Sequence, residues 1–272
     1  MKADPKTPPV LERYELKYTV PASWIGPISA FVEPYCALDY HSSVSPDGFY
    51  QVNSLYFDSP DFILLRNRLG GLHDRFNMRV RTYGAHPVSP WFLEVKRKVG
   101  DIIRKYRARV KDIDLERIMD AGASPAEYLA AAGDAANAAL FRRLAHAYNT
   151  APVVMTTYRR KAYFSVCDAY ARVTFDAGMR YCARTDYNPL PAEGDFAPTD
   201  LETLFDEGTS VVLELKCQSK YVPAWMLDLI RSFELRRRSF SKYSAAISQV
   251  FRRYEFDPGH RTPTLADFGD ED

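Results

Sequence analysis

The chain has 272 residues, 36 Lys+Arg against 35 Asp+Glu, and is 46% hydrophobic and 14% aromatic. That supports a sizeable core in one large domain or two small ones, and the even charge gives no argument for nucleic acid or a membrane surface. No apolar run approaches the roughly 18 residues of a transmembrane helix. The four cysteines (Cys36, Cys167, Cys182, Cys217) form no CxxC pair, which argues against a disulfide scaffold or zinc and for a reduced, cytoplasmic setting.

Residues 1–10 are Pro-rich, lack the apolar stretch of a signal peptide and read as a disordered lead-in. One domain is expected over 11–254, with a C-terminal tail over 255–272. ERYELKYTV (12–20) alternates and predicts a strand; PASWIGPISAFVEPY (21–35) predicts a helix bounded by prolines. FYQVNSLYFDSP (49–60) predicts a strand and DFILLRNRL (61–69) a short amphipathic helix. DRFNMRVRTYG (74–84), PWFLEVKRK (90–98) and DIIRKYRARV (101–110) predict three closely spaced strands, with turns at 84–90 and 100–101. A helical insert follows at about 112–147, with Ser124–Pro125 as a start signal. VVMTTYRRKAYFSV (153–166) and AYARVTFDAGMRY (169–181) predict a hairpin, 183–209 a long loop, and VVLELKC (211–217) a strand. PAWMLDLIRSFEL (223–235) and the later part of SFSKYSAAISQVFRRY (239–254) predict helices. About eight mostly antiparallel strands suffice to close a barrel.

The polar faces of these strands are unusual. They carry Arg13, Glu15 and Lys17; Arg75, Asn77, Arg79 and Arg81; Glu94, Lys96 and Lys98; Lys105, Arg107 and Arg109; Arg172, Thr174 and Asp176; Glu214 and Lys216. A Glu-x-Lys pattern occurs three times. Two arrangements fit. In one, a sandwich keeps its apolar faces inside and a salt-bridged surface outside. In the other, helices cover outward apolar faces and the charged faces line the lumen of a barrel. Enclosed charge is costly unless paired or bound to a ligand. Cations outnumber carboxylates here, arginine forks suit phosphate oxygens, and several amphipathic helices need an apolar surface to cover. A basic lumen would hold an extended polyanion, and its few glutamates would hold Mg²⁺ or Mn²⁺ shared with phosphates. The sequence has no Walker A and no GxGxxG, so side chains would bind the phosphate.

RYELKY, SLYFDSPDF, the Arg-x-Arg of MRVRTYG, LEVKRK, TTYRRKAY, ARVTFD, LELK and SFSKY, in that order over about residues 12–250, resemble the VTC domain. That is the catalytic domain of vacuolar transporter chaperone polyphosphate polymerases, in the triphosphate tunnel metalloenzyme superfamily. The resemblance implies an α+β fold: an eight-stranded antiparallel tunnel barrel with a charged lumen, covered by helices. It implies that ATP is bound and its γ-phosphate passed to a growing inorganic polyphosphate chain, with Mn²⁺ or Mg²⁺ as cofactor. It carries phosphate-binding roles to Lys17, Arg79, Arg81, Lys96, Arg107, Arg160, Arg172, Lys216, Ser241 and Lys242, and a metal-binding role to Glu214. Glu15 and Glu94 are either metal ligands or ion-pair partners that hold Lys and Arg in place. For residues 153–166 only the resemblance chooses Arg160 over Arg159 as the inward residue.

Membrane-anchored members of the family carry a further regulatory domain and transmembrane helices that this sequence does not show, so a membrane partner is left open. Two alternatives stay open: a tunnel triphosphatase that hydrolyses tripolyphosphate or a nucleoside triphosphate and holds it with similar residues, and a non-catalytic module that binds polyphosphate or another polyanion. A hydrolase would need a base, for which Glu15, Glu94 and Glu214 are candidates. The five histidines read as surface or local hydrogen-bonding groups, and Trp225 as packing. Arg236, Arg237 and Arg238 read as a solvated basic run or a guide for a polyanion.

Overall fold

The computed structural model describes residues 13–100, 102–111, 114–120, 122–192, 194, 196–199, 210–218, 221–238 and 240–255. The expected lead-in, and the tail beyond Glu255, lie outside the described residues. The strands are β1 (Arg13–Val20), β2 (Cys36–Leu38), β3 (Tyr50–Asp58), β4 (Asp74–Tyr83), β5 (Trp91–Val99), β6 (Ile102–Val110), β7 (Ala151–Ser165), β8 (Ala171–Ala183), β9 (Ala197–Pro198) and β10 (Val211–Gln218). The helices are α1 (Ile25–Val32), α2 (Tyr40–Ser43), α3 (Ile63–Leu69), α4 (Leu115–Met119), α5 (Pro125–Tyr128), α6 (Ala135–Ala147), α7 (Ala224–Ser232) and α8 (Lys242–Glu255). Among the described residues no helix is long and apolar enough to cross a membrane.

The strands form one ten-stranded sheet in the order β1-β10-β8-β7-β3-β4-β5-β6, with β2 pairing to β7 and β9 to β8 off that path. Eight strands on the path match the expected eight. Among the described residues the antiparallel path has two ends, at β1 and β6, and does not itself trace the closed barrel that was expected. The strands β2 and β9 were not anticipated. Three residues, Cys36–Leu38, are too few to show a period of two, and Pro198 in β9 lacks the N–H that marks a ladder residue. Between β5 and β6, Gly100 adopts φ +56°, a conformation that a side chain would strain.

The chain divides into two compact units. One holds the described parts of Met1–Tyr50, Arg159–Gly178 and Leu204–Phe240; the other holds those of Gln51–Tyr158, Met179–Thr203 and Ser241–Asp272.

In the first unit the ladder of β1, β10 and β8 sets the two faces. Lys17 stands opposite Glu214 and Glu15 opposite Lys216, while Glu214 stands opposite Thr174 and Lys216 opposite Arg172. Cross-strand partners share a face, so these groups lie together. Tyr18, Leu213, Leu215, Val173 and Phe175 take the other face. There they pack with Ile28 and Val32 of α1 and with Trp225, Met226 and Leu229 of α7. Each large side chain so buried contributes about 1.5–3 kcal/mol.

The second unit repeats the plan on β3 to β6. Arg79 stands opposite Tyr56 and Glu94, and Glu94 opposite Arg107; Lys96 stands opposite Asn77 and Lys105. On the other face Leu55, Met78, Val80, Leu93, Val95 and Ala108 meet Leu115 and Ile118 of α4 and Ala138 and Phe141 of α6. The helical insert thus covers the apolar face of these strands. In both units the apolar faces lie under helices, and several charges on the opposite faces are buried: Glu94 at 1%, Arg81 at 5% and Arg160 at 7% exposure. A solvated, salt-bridged outer surface does not fit that burial.

Candidate functional site

In the second unit five charged groups converge. Arg79 reaches Glu94 Oε2 through Nε at 2.9 Å and donates through Nη1 to the Tyr56 hydroxyl at 3.0 Å. Arg81 Nε lies 3.9 Å from the same oxygen, and its Nη2 donates to the Tyr158 hydroxyl at 3.4 Å. The other oxygen, Oε1, receives Lys105 Nζ at 2.6 Å and Arg107 Nε at 2.8 Å. Burial pushes the Glu94 carboxyl up, but Lys105, Arg81, Arg79 and Arg107 outweigh it and hold the group well below the usual carboxylate range. Lys105 is driven the opposite way. Desolvation, with Arg107, Arg81 and Arg79 around it, lowers its ammonium well below the ordinary lysine range even though Glu94 favours the charge. Yet 37% of its side chain is open to solvent.

Ser241 and Lys242 belong to the same unit. Ser241 Oγ accepts from Ser244 N–H at 3.3 Å, an N-cap for α8. The Lys242 ammonium sits 4.7 Å above the Tyr158 ring.

In the first unit Lys17 Nζ lies 3.5 Å from Glu214 Oε1 and donates to the Phe240 carbonyl at 3.0 Å; Lys216 Nζ lies 2.7 Å from Glu214 Oε2. Desolvation lowers the Lys216 ammonium, Glu214 and Glu15 oppose that, and Arg160 and Arg172 add to it. Arg160 binds Asp176 in two parallel bonds at 2.6 and 2.8 Å. Arg172 donates to Asp39 at 3.1 Å and lies 4.6 Å over the Phe164 ring. The neighbouring Arg159 is exposed and pairs with Asp47, so β7 turns Arg160 inward and Arg159 outward.

The VTC domain pattern matches residues 12–251. The chain belongs to the VTC domain family. It is 25% identical over 256 residues to vacuolar transporter chaperone complex subunit 4 of Trypanosoma brucei brucei, covering 85% of this chain. It spans only 32% of that curated relative. Solved structures with similarity include a candidate adenylate cyclase from Bacillus halodurans (TM-score 0.47, 8% identity, 86% of this chain and 96% of that one). Another, from Vibrio parahaemolyticus, gives TM-score 0.44 at 12% identity over 88% and 99%.

All thirteen residues singled out from the sequence of this VTC domain lie among the described residues. Arg79, Arg81, Glu94, Lys96, Arg107, Ser241 and Lys242 fall in the second unit, with Lys96 on the face that carries Glu94. Glu15, Lys17, Arg160, Arg172, Glu214 and Lys216 fall in the first. Sequence reasoning did not single out Lys105, Tyr56, Tyr158, Asp39 or Asp176. Lys105 and Asp176 were legible as members of polar strand faces. Tyr56 and Tyr158 sit in apolar-looking runs, and Asp39 reaches Arg172 from 133 residues away.

Both Glu94 oxygens are engaged by cations, and both Glu214 oxygens meet ammonium groups, Oε1 that of Lys17 at 3.5 Å and Oε2 that of Lys216 at 2.7 Å. Glu214 shares a face with Glu15 and stands opposite Thr174, whose buried Oγ1 has no hydrogen-bond partner among the described residues. Among the described residues no three His, Cys, Asp or Glu gather to hold a metal. A divalent ion held by Glu214 and Glu15 would have to take its remaining ligands from phosphate oxygens.

Proposed function

We propose that this chain is a polyphosphate polymerase that transfers the γ-phosphate of ATP to a growing inorganic polyphosphate chain. The observation that carries this reading is the convergence of Arg79, Arg81, Lys105 and Arg107 on one carboxylate. Membership of the VTC domain family gives it direction. Fixed guanidinium and ammonium groups offer donors to oxygens that carry charge in phosphoryl transfer, where positioning and electrostatics supply most of the catalysis. Glu94 holds the donors of its cluster in place before the anion arrives. Arg160 and Arg172, braced by Asp176 and Asp39, with Lys17 and Lys216, serve the same purpose in the first unit. Ser241 and Lys242 meet phosphate at the start of α8.

Glu214, with Glu15, would hold Mn²⁺ or Mg²⁺. The ion would supply charge neutralisation and alignment of the phosphate oxygens. The acceptor is a terminal phosphate, already anionic, so the transfer needs no general base. Exclusion of water from the acceptor side would favour transfer over hydrolysis. The four free cysteines suit a reduced cytoplasm. Because the relative is named as a subunit of a complex, a protein partner belongs to this reading.

Incubation of the purified chain with ATP and Mn²⁺, with polymer resolved on a gel and free phosphate measured in parallel, tests the proposal. Polymer with matching ADP supports it. Free phosphate without polymer makes the chain a triphosphatase. Binding of polyphosphate with no turnover makes it a polyanion-binding module.

A further inference from the structure

Asp58 ends β3 with no surface exposed, and nothing above gives it a task. An enclosed carboxylate is costly unless its oxygens are satisfied, and these are. Oδ1 accepts from the N–H groups of Ser59 at 2.8 Å and Leu64 at 2.9 Å, and Oδ2 from that of Leu65 at 2.9 Å. The fourth donor is the hydroxyl of Tyr243, which also bonds Oδ2. The first three hold the turn into α3, where Phe62 takes a left-handed φ of 53°. The fourth comes from α8, from the residue directly after Lys242.

Adhesion of α8 does not need this bond, because Ala246, Ile247 and Val250 already pack with Val153 and Val154. A hydrogen bond at the first turn adds a directional restraint to that packing. The Tyr243 ring also stacks on Tyr56 at 5.2 Å, and Tyr56 accepts from Arg79. Fixing Tyr243 therefore fixes the start of α8 relative to an arginine of the charge cluster.

We propose that Asp58 is a positioning residue: through Tyr243 it sets the first turn of α8, and with it the place from which Ser241 and Lys242 meet a phosphate anion. This rests on the phosphate-binding reading above. Geometry tolerances at such sites are fractions of an ångström, so losing one fixing bond is felt in binding.

The test is a double-mutant cycle on tripolyphosphate binding, read by calorimetry, with thermal melts alongside. Tyr243→Phe keeps the ring and removes only the hydroxyl. Tyr243→Phe and Lys242→Ala should each weaken binding about tenfold, and the double variant by clearly less than the product of the two losses. Asp58→Asn, run in the same cycle, should couple to Lys242 in the same way and covers the case in which the tyrosine variant does not fold. Independent, multiplying losses would overturn the inference, as would a wild type that binds while Tyr243→Phe binds equally well. A wild type that does not bind tripolyphosphate would instead remove the phosphate-binding reading, and this inference with it.

Discussion

Arg160 and Asp176 face each other across the first unit in a bidentate pair at 2.6 and 2.8 Å, with the arginine side chain 8% exposed and the aspartate fully buried. Removing one partner leaves an uncompensated buried charge, which costs about 3–5 kcal/mol. Asp176→Ala should lower the urea-unfolding free energy by about that much. Asp134→Ala, which breaks the more exposed pair with Arg109 at 2.6 Å, should cost at most about 1 kcal/mol. Equal losses would mean that the Arg160–Asp176 pair is not desolvated.

The two arginines in Tyr158-Arg159-Arg160 offer a sharper functional contrast. Arg159 is exposed against Asp47, while Arg160 is buried on the polar face. In the ATP and Mn²⁺ incubation, Arg159→Ala should form polymer at close to the wild-type rate. Arg160→Lys, which keeps the charge but loses the planar fork, should lose about tenfold or more in rate. Similar rates for the two variants would place Arg160 outside the anion site.

Glu94 makes a prediction about acid. Its carboxyl is held well below the ordinary range in the folded chain by Lys105, Arg81, Arg79 and Arg107, against the burial that raises it. A depressed folded value means that the unfolded chain takes up the proton first as pH falls. The stabilisation is fully present above the unfolded glutamate value of about 4.3 and is lost progressively below it, down through the folded value. Urea unfolding of the wild type should therefore weaken steeply below about pH 4.3. Glu94→Gln should be less stable at pH 7 and show a shallower acid limb; parallel limbs would refute the assignment.

The strand faces were legible because alternation of type is a local signal. Glu94, Arg79, Arg107, Glu214 and Lys17 could all be placed on polar faces from spacing alone. Whether those faces were solvated or buried was not local, since it depended on which face the helices covered. Burial of Glu94 beneath four cations decides that. The braces were hidden for a similar reason. Asp39 stands in an irregular stretch far from Arg172, and Asp58 reads as a turn residue before Pro60. Nor did Tyr56 and Tyr158 announce their hydroxyl contacts, because tyrosines in strands are ordinary core residues.

Metal dependence separates the roles of the acidic residues. Chelation with EDTA should abolish polymer formation, and added Mn²⁺ should restore it. Glu214→Ala should remain inactive at any Mn²⁺ concentration while tripolyphosphate binding without metal falls by less than about threefold. Activity that survives chelation, or Glu214→Ala that turns over normally, would move the metal away from Glu214.

The crowding around Glu94 has a consequence for how long the protein survives. Arg107, Arg81 and Arg79 each work against the charge on Lys105, a repulsion that a bound polyanion would relieve. A ligand that binds only the folded chain adds stability that grows with the logarithm of its concentration. The melting temperature should therefore act as a gauge of phosphate supply, rising as tripolyphosphate is added and falling when salt screens it away. Inside a cell, the same linkage would make the chain's resistance to proteases follow the amount of polyphosphate around it.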